Sequence, residues 1–301
     1  MSRGLTHLIG GLVAVISGLG SFALLAIGGQ RLLQAYMRLD LGSTVAATGV
    51  GLQIAGTALL VLAVLTARWT PVGLLCLGTL GLATLAASAF PLALYSAAAN
   101  LPAIASSPLN LTLVGVPQVL GAVMGGTGLA ILLQGHGRHS LRTGPAGSRP
   151  SQSGAGTHVI TAVAAPILFV AGLLLLLRGV SGAMRSVQML MESSPLWLLA
   201  IAGGLVLLLA ACFTVRWSPF SLILPALIVA IFTVVSFLPR AFGYVLEVAV
   251  QGLGTFLVLG GIPTVVVLAA CSFVAISHWT RGRRTARSAT PVFQPTPGTG
   301  R

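Results

Sequence analysis

Residues 10–29 read GGLVAVISGLGSFALLAIGG, a run with no charge and no proline. An α-helix of about 20 residues spans the roughly 30 Å hydrocarbon layer of a bilayer. The small residues in this run let helices approach one another closely. Gly10 and Gly11 are not a phosphate loop, because no G-K-[ST] follows them. Arg3 gives the run a short basic start. Its apolar length exceeds that of a cleaved leader's core, and no clear A-x-A site ends it. It reads as a retained first transmembrane helix, 7–29.

Working outward, seven more apolar stretches occur at 45–67, 72–96, 112–134, 158–179, 196–215, 219–238 and 252–277. A membrane barrel would instead show alternating segments of about 10 residues, and none occur. Only 6% of the residues are charged, against about 25% in soluble domains. So few charges cannot cover a water-facing surface. The expected fold is all-α, a polytopic membrane protein with eight transmembrane helices.

The net charge of +13 is carried by arginine, since the chain has no lysine. That usage, beside abundant alanine, glycine and leucine, suggests a GC-rich bacterial genome. The arginines are spread over loops and one tail without interleaved aromatics, so no nucleic-acid partner is expected. Topology explains them better, because cytoplasmic segments collect basic residues. With the N-terminus inside, eleven arginines fall on the cytoplasmic side. Five fall outside: Arg31, Arg38, Arg178, Arg185 and Arg240. The three acids, Asp40, Glu192 and Glu247, fall outside as well. The expected location is the plasma membrane of a bacterium, multi-pass, with both termini cytoplasmic. Anionic headgroups on that side are the expected lipid partner, at about 1 kcal/mol per arginine.

Two phrases echo one another. TARWTP at 66–71 recurs as TVRWSP at 214–219, an offset of 148. Between 56–74 and 204–222, nine of nineteen positions are identical. GVP at 115–117 recurs as GIP at 261–263, an offset of 146. Asp40 and Glu192 each end the first outer loop of their half, at an offset of 152. That last offset requires loops differing by a few residues. The chain therefore divides into a first four-helix half (1–134), a flexible Gly/Ser/Pro-rich cytoplasmic linker (135–157), a second four-helix half (158–280) and a basic, disordered cytoplasmic tail (281–301). Four crossings return the chain to its starting side, so the two repeats are expected to be parallel, related by a pseudo-twofold axis along the membrane normal.

Two groups of residues stand out. Arg68, Trp69, Arg216 and Trp217 could form loops that touch a cytoplasmic partner. They also fit a tight helical hairpin made twice. In that hairpin Trp lies at the interface, Arg reaches water and phosphate, Thr70 and Ser218 cap the next helix, and Pro71 and Pro219 take its first position. We prefer the hairpin. Together with Arg281, Arg283, Arg284 and Arg287 these residues form a candidate cytoplasmic surface. The second group is Gln53, Pro117, Gln118, Pro263 and Thr264. Proline inside a helix frees a carbonyl, and matching breaks in two halves can mark a transport pathway. The plainer reading is a kinked packing helix whose glutamine bonds a neighbour.

Other chemistry is sparse. His136 and His139 lie in the glycine-rich linker with no carboxylate or cysteine near, and His7 and His158 open helices at the cytoplasmic border. Cys76, Cys212 and Cys271 sit singly in apolar runs and read as small buried hydrophobes. No apolar span has a charge near its middle, which argues against a proton-driven antiporter. No HExxH or GxSxG occurs, and three acids give little material for hydrolysis. No enzymatic activity, metal or cofactor is expected. The expected role is a non-enzymatic accessory or scaffold subunit of a cell-envelope complex, with a membrane-protein partner. The alternative is a permease or transporter subunit for an apolar or lipid-like solute.

Overall fold

The computed structural model describes residues 3–38, 40, 42–89, 96, 100, 111–140, 155–189, 194–237 and 252–288. Among these residues there is helix and turn but no strand. The elements are α1 (Arg3–Arg38), α2 (Thr44–Thr66), α3 (Val72–Ala89), α4 (Val116–Ser140), α5 (Ala155–Gln188), α6 (Pro195–Phe213) and α7 (Ile223–Phe237). A 3₁₀ turn, Thr214–Arg216, ends α6. The last helical run is composite: one α turn, α8 (Leu253–Phe256), then a π-helical turn (Leu257–Gly261), then α9 (Ile262–Ser288).

These helices occupy the eight expected stretches, but they are not equally long. Six are long and apolar enough to cross a membrane: His7–Arg38, Thr44–Thr66, Val116–Gln134, Gly156–Ser186, Pro195–Arg216 and Leu253–Arg281. The other two, Val72–Leu85 and Ile223–Phe237, are apolar but shorter. The third expected stretch runs to 96, and residues 90–95 lie outside the described set. The seventh begins later than its expected start at 219. Pro225, which would serve Ser221 O in an α-helix, has no amide hydrogen to donate. The chain first makes three-residue turns, Ser221 N to Ser218 O at 3.2 Å and Ile223 N to Phe220 O at 3.1 Å. Four-residue spacing begins only with Ala226 N to Leu222 O.

Helix also extends past the expected boundaries. α4 continues to Ser140 and α5 starts at Ala155, so both edges of the 135–157 segment are helical. α9 continues to Ser288, into the expected tail. Once nucleated, a helix gains one hydrogen bond for each residue added, so an apolar helix carries a polar extension with it. Residues 141–154 and 289–301 lie outside the described set.

Local sequence accounts for several helix ends. Ser43 caps α2 by accepting from Ala46 N. Ser194 caps α6 by accepting from Leu196 N, with Pro195 at the first position. Thr70 accepts from Val72 N at 3.3 Å, as a cap of α3 should. Trp197 and Trp217 stand 20 residues apart along α6 and its 3₁₀ turn, about 30 Å, which is the spacing of two interfacial aromatic belts.

α4 and α9 form the centre. Their apolar windows are 78% and 72% buried, against 33–44% for the other long helices. α1 packs along α2, α5 along α6, and α3 along α4. α4 also lies against α6, and α9 against α2 and α7.

The α1–α2 and α5–α6 crossings share one geometry. A methyl added at Gly28 would lie 2.8 Å from both Gln53 N and Gly49 O. One added at Gly179 would lie 2.8 Å from both Ile201 N and Trp197 O. At Gly56 it would meet Leu25 N at 3.0 Å and Ser21 O at 3.1 Å. At Gly204 it would meet Leu176 N at 2.5 Å and Gly172 O at 2.7 Å. The α1 and α5 residues in these four contacts correspond at an offset of 151, and those of α2 and α6 at 148. The second α–α connection is therefore three residues shorter than the first.

Candidate functional site

The π-helical turn precedes Pro263. In an α-helix Leu259 O would accept from residue 263, and in a π-helix Val258 O would. Proline supplies neither hydrogen. Gln53 of α2 reaches across and donates Nε2–H to Leu259 O at 3.1 Å and, at a longer 3.4 Å, to Val258 O. Its side chain also lies beside Gly29, where an added methyl would come within 3.5 Å of the amide.

Pro117 lies at the matching place in the first half, but its setting is different. Leu111 and Thr112 are helical, a turn follows, and α4 begins at Val116. Gly115 holds the turn at φ 84°, a left-handed conformation that glycine adopts without strain. Pro117 thus stands in the first turn of α4 rather than at a mid-helix kink. Gln118 donates Nε2–H to Thr112 O at 3.1 Å, and Gly115 N–H donates to the same oxygen. The residue equivalent to Gln53 at offset 148 is Ile201, which has no amide to lend.

α4 and α9 meet nearby, where Val116 packs so closely on Gly260 that a methyl there would lie 2.5 Å away. Gln53, Gln118 and Thr264 are at most 1% exposed, and both prolines are buried. Gln53 Oε1 and Thr264 Oγ1 are buried without a hydrogen-bond partner among the described residues. A groove of about 580 Å³ lies away from this centre, beside the first turns of α2, lined by Leu32, Ala46, Val50, Ile54 and Phe237 among others.

The Arg-Trp turns are held from the opposite half. His278 Nε2 lies 2.9 Å from Ala67 O, and Arg281 Nη1 donates to Arg68 O at 2.8 Å. A carbonyl only accepts, so His278 presents its Nε2–H. At the second turn Gln134 Nε2, from the end of α4, donates to Val215 O at 3.2 Å and Arg216 O at 3.0 Å. The four carbonyls match at offset 148. Trp69 and Trp217 are both exposed, and so are Arg68 and Arg216. The backbone of α9 extends beneath Arg283, Arg284 and Arg287. None of these cross-half contacts had a local sequence signal; the offset alone could have suggested that the two turns share an environment.

The remaining singled-out residues separate. His7 Nδ1 lies 2.6 Å from Thr70 Oγ1. Thr161 fills the place of Gly10, where a methyl would lie 2.7 Å from Thr70. His158 Nδ1, the counterpart of His7 Nδ1, is buried without a partner among the described residues. Cys212 and Cys271 are fully buried and Cys76 partly so. No group of three His, Cys, Asp or Glu that could hold a metal occurs among the described residues. Asp40 is exposed after α1, and Glu192 and Glu247 lie outside the described set. The side chains of His136 and His139 are outside it too.

Described residues that are all helix and turn, with six long apolar helices among them, fit the class of helical membrane proteins. No protein family, curated protein or solved structure matches it.

Proposed function

We propose that the chain is a non-enzymatic accessory or scaffold subunit of a cell-envelope complex, working with a membrane-protein partner in a bacterial plasma membrane. In this reading eight helices, the two short ones included, cross the bilayer as two parallel four-helix repeats, with both termini cytoplasmic. The paired glycine contacts of α1–α2 and α5–α6 support the duplication, as do the matched carbonyls of the two Arg-Trp turns. The observation that carries the scaffold reading is the use of the central polar groups. The Nε2 groups of Gln53 and Gln118 are taken by the backbone carbonyls of Leu259 and Thr112, and α4 and α9 lock each half onto the other. Halves clasped in this way are poorly suited to rocking about a solute.

Two experiments test this. Extraction from the native membrane into lipid nanodiscs should yield a stoichiometric membrane-protein partner by mass spectrometry; recovery of the chain alone refutes the scaffold role. Alkaline phosphatase fused after Arg301 should stay inactive and a fluorescent protein fused there should fluoresce; the reverse result refutes the orientation.

A second reading is favoured by the partnerless Gln53 Oε1 and Thr264 Oγ1. It is a permease or transporter subunit for an apolar or lipid-like solute, and a lipid-like solute with a hydroxyl or amide would donate to these oxygens. Gln118→Leu and Thr264→Val should then abolish solute movement while leaving assembly intact. Unchanged movement eliminates that pathway.

A further inference from the structure

We infer that the α2–α3 turn is a specific site for an anionic phospholipid headgroup and that its duplicate, the α6–α7 turn, is not. This rests on the membrane reading above and sharpens its lipid partner to one turn. The two turns share a backbone but differ in what meets them. At the first, Arg281 Nη1 bonds to Arg68 O at 2.8 Å, which brings a second guanidinium group to a turn that already carries the exposed Arg68. His278 on Ala67 O and His7 on Thr70 Oγ1 tie α9 and α1 to the same four residues. Trp69, 71% exposed, stands beside them as an interfacial aromatic side chain does.

Two guanidinium groups carried at one turn offer a phosphate two charge-assisted contacts. The guanidinium fork matches phosphate oxygens in geometry as well as charge. No Asp or Glu occurs in the sequence between Asp40 and Glu192 or after Glu247. The basic run continues past Arg281 on the same helix backbone, with Arg283, Arg284 and Arg287.

The second turn received the neutral partner. Gln134 takes the position of the α9 groups and bonds Val215 O and Arg216 O. Arg216 lies 5.9 Å from the centroid of the Phe213 ring, which itself packs edge-on to Trp217 at 5.7 Å. Phe220 meets Trp279 at 6.5 Å. Among the described residues one cation, Arg216, meets the second turn, and over an aromatic ring it is an interfacial anchor without a paired phosphate clamp.

The full chain would be reconstituted into vesicles of equal parts phosphatidylglycerol and phosphatidylcholine, re-extracted in mild detergent, and its retained lipids counted by native mass spectrometry. The wild type should retain phosphatidylglycerol in excess. Arg68→Gln and Arg281→Gln should each cut that excess about fivefold, the factor that roughly 1 kcal/mol per arginine corresponds to. Arg216→Gln should leave it unchanged. Glutamine at 281 can still donate to Arg68 O, so the turn is expected to persist, and unchanged helicity and elution volume check this. Excess inorganic phosphate at constant ionic strength should not displace the lipid. An equal loss in Arg216→Gln, no loss in any variant, or displacement by phosphate overturns the site. Failure to enter the vesicles at all refutes the membrane reading instead.

Discussion

Replacing Gln53 by leucine tests the centre of the molecule most directly. The change keeps side-chain volume close and removes the donor that serves Leu259 O at 3.1 Å and Val258 O at 3.4 Å. Losing the partner of a buried carbonyl costs about 1–3 kcal/mol in water-soluble proteins. Interhelical polar contacts in membranes average about 0.6 kcal/mol and reach about 1.7. One good and one long bond, both fully buried, give an expected loss of about 1–2 kcal/mol. The decisive comparison is with Pro263→Ala, which supplies a backbone N–H within reach of the same carbonyls. In that background Gln53→Leu should cost only a few tenths of a kcal/mol, a coupling of about 1 kcal/mol in a double-mutant cycle. Unfolding of the four proteins in mixed micelles, followed by far-UV circular dichroism, measures it. Equal losses in both backgrounds would refute the claim that Gln53 repairs the proline defect.

Three further outcomes follow from the packing. Gly28→Val and Gly179→Val should each destabilise by about 2–3 kcal/mol through overpacking against backbone atoms, while Gly51→Val, with no atom within 4 Å, should change little; thermal unfolding in detergent would separate them, and unequal responses at 28 and 179 would break the proposed correspondence. A chain divided between 140 and 155 should reassemble when its parts are co-expressed, because Gln53, Gln134, His278 and Arg281 all bond across the division; independent purification of each part would contradict the interlock. In native micelles at most Cys76 should react with N-ethylmaleimide, since Cys212 and Cys271 are fully buried, and all three should react in denaturing detergent; rapid native labelling of three thiols would contradict the buried core.

The helices, their positions and the membrane class were legible because hydropathy and length are sums over neighbouring residues, as in residues 10–29. The cap at Thr70 was legible for the same reason, since a cap bonds within three residues of itself. Local reading went astray at α7: Ser218 and Pro219 look like a cap and first turn, yet helix begins at Ile223. Two proline phrases that look alike in sequence also proved unlike in structure. Pro117 begins a helix after the left-handed Gly115, whereas Pro263 follows a π-helical turn within a continuous helical run.

The sequence by itself determined that this chain is built of apolar helices and where its two echoing phrases lie. Tertiary structure alone decided what those phrases and glutamines do. Gln53 finds Leu259 across 206 positions, Gln134 finds Val215 across 81, and Arg281 finds Arg68 across 213. No periodicity carries such partnerships. They are set by which helix faces meet, and the close contacts at Gly28, Gly179 and Gly260 fix which faces those are.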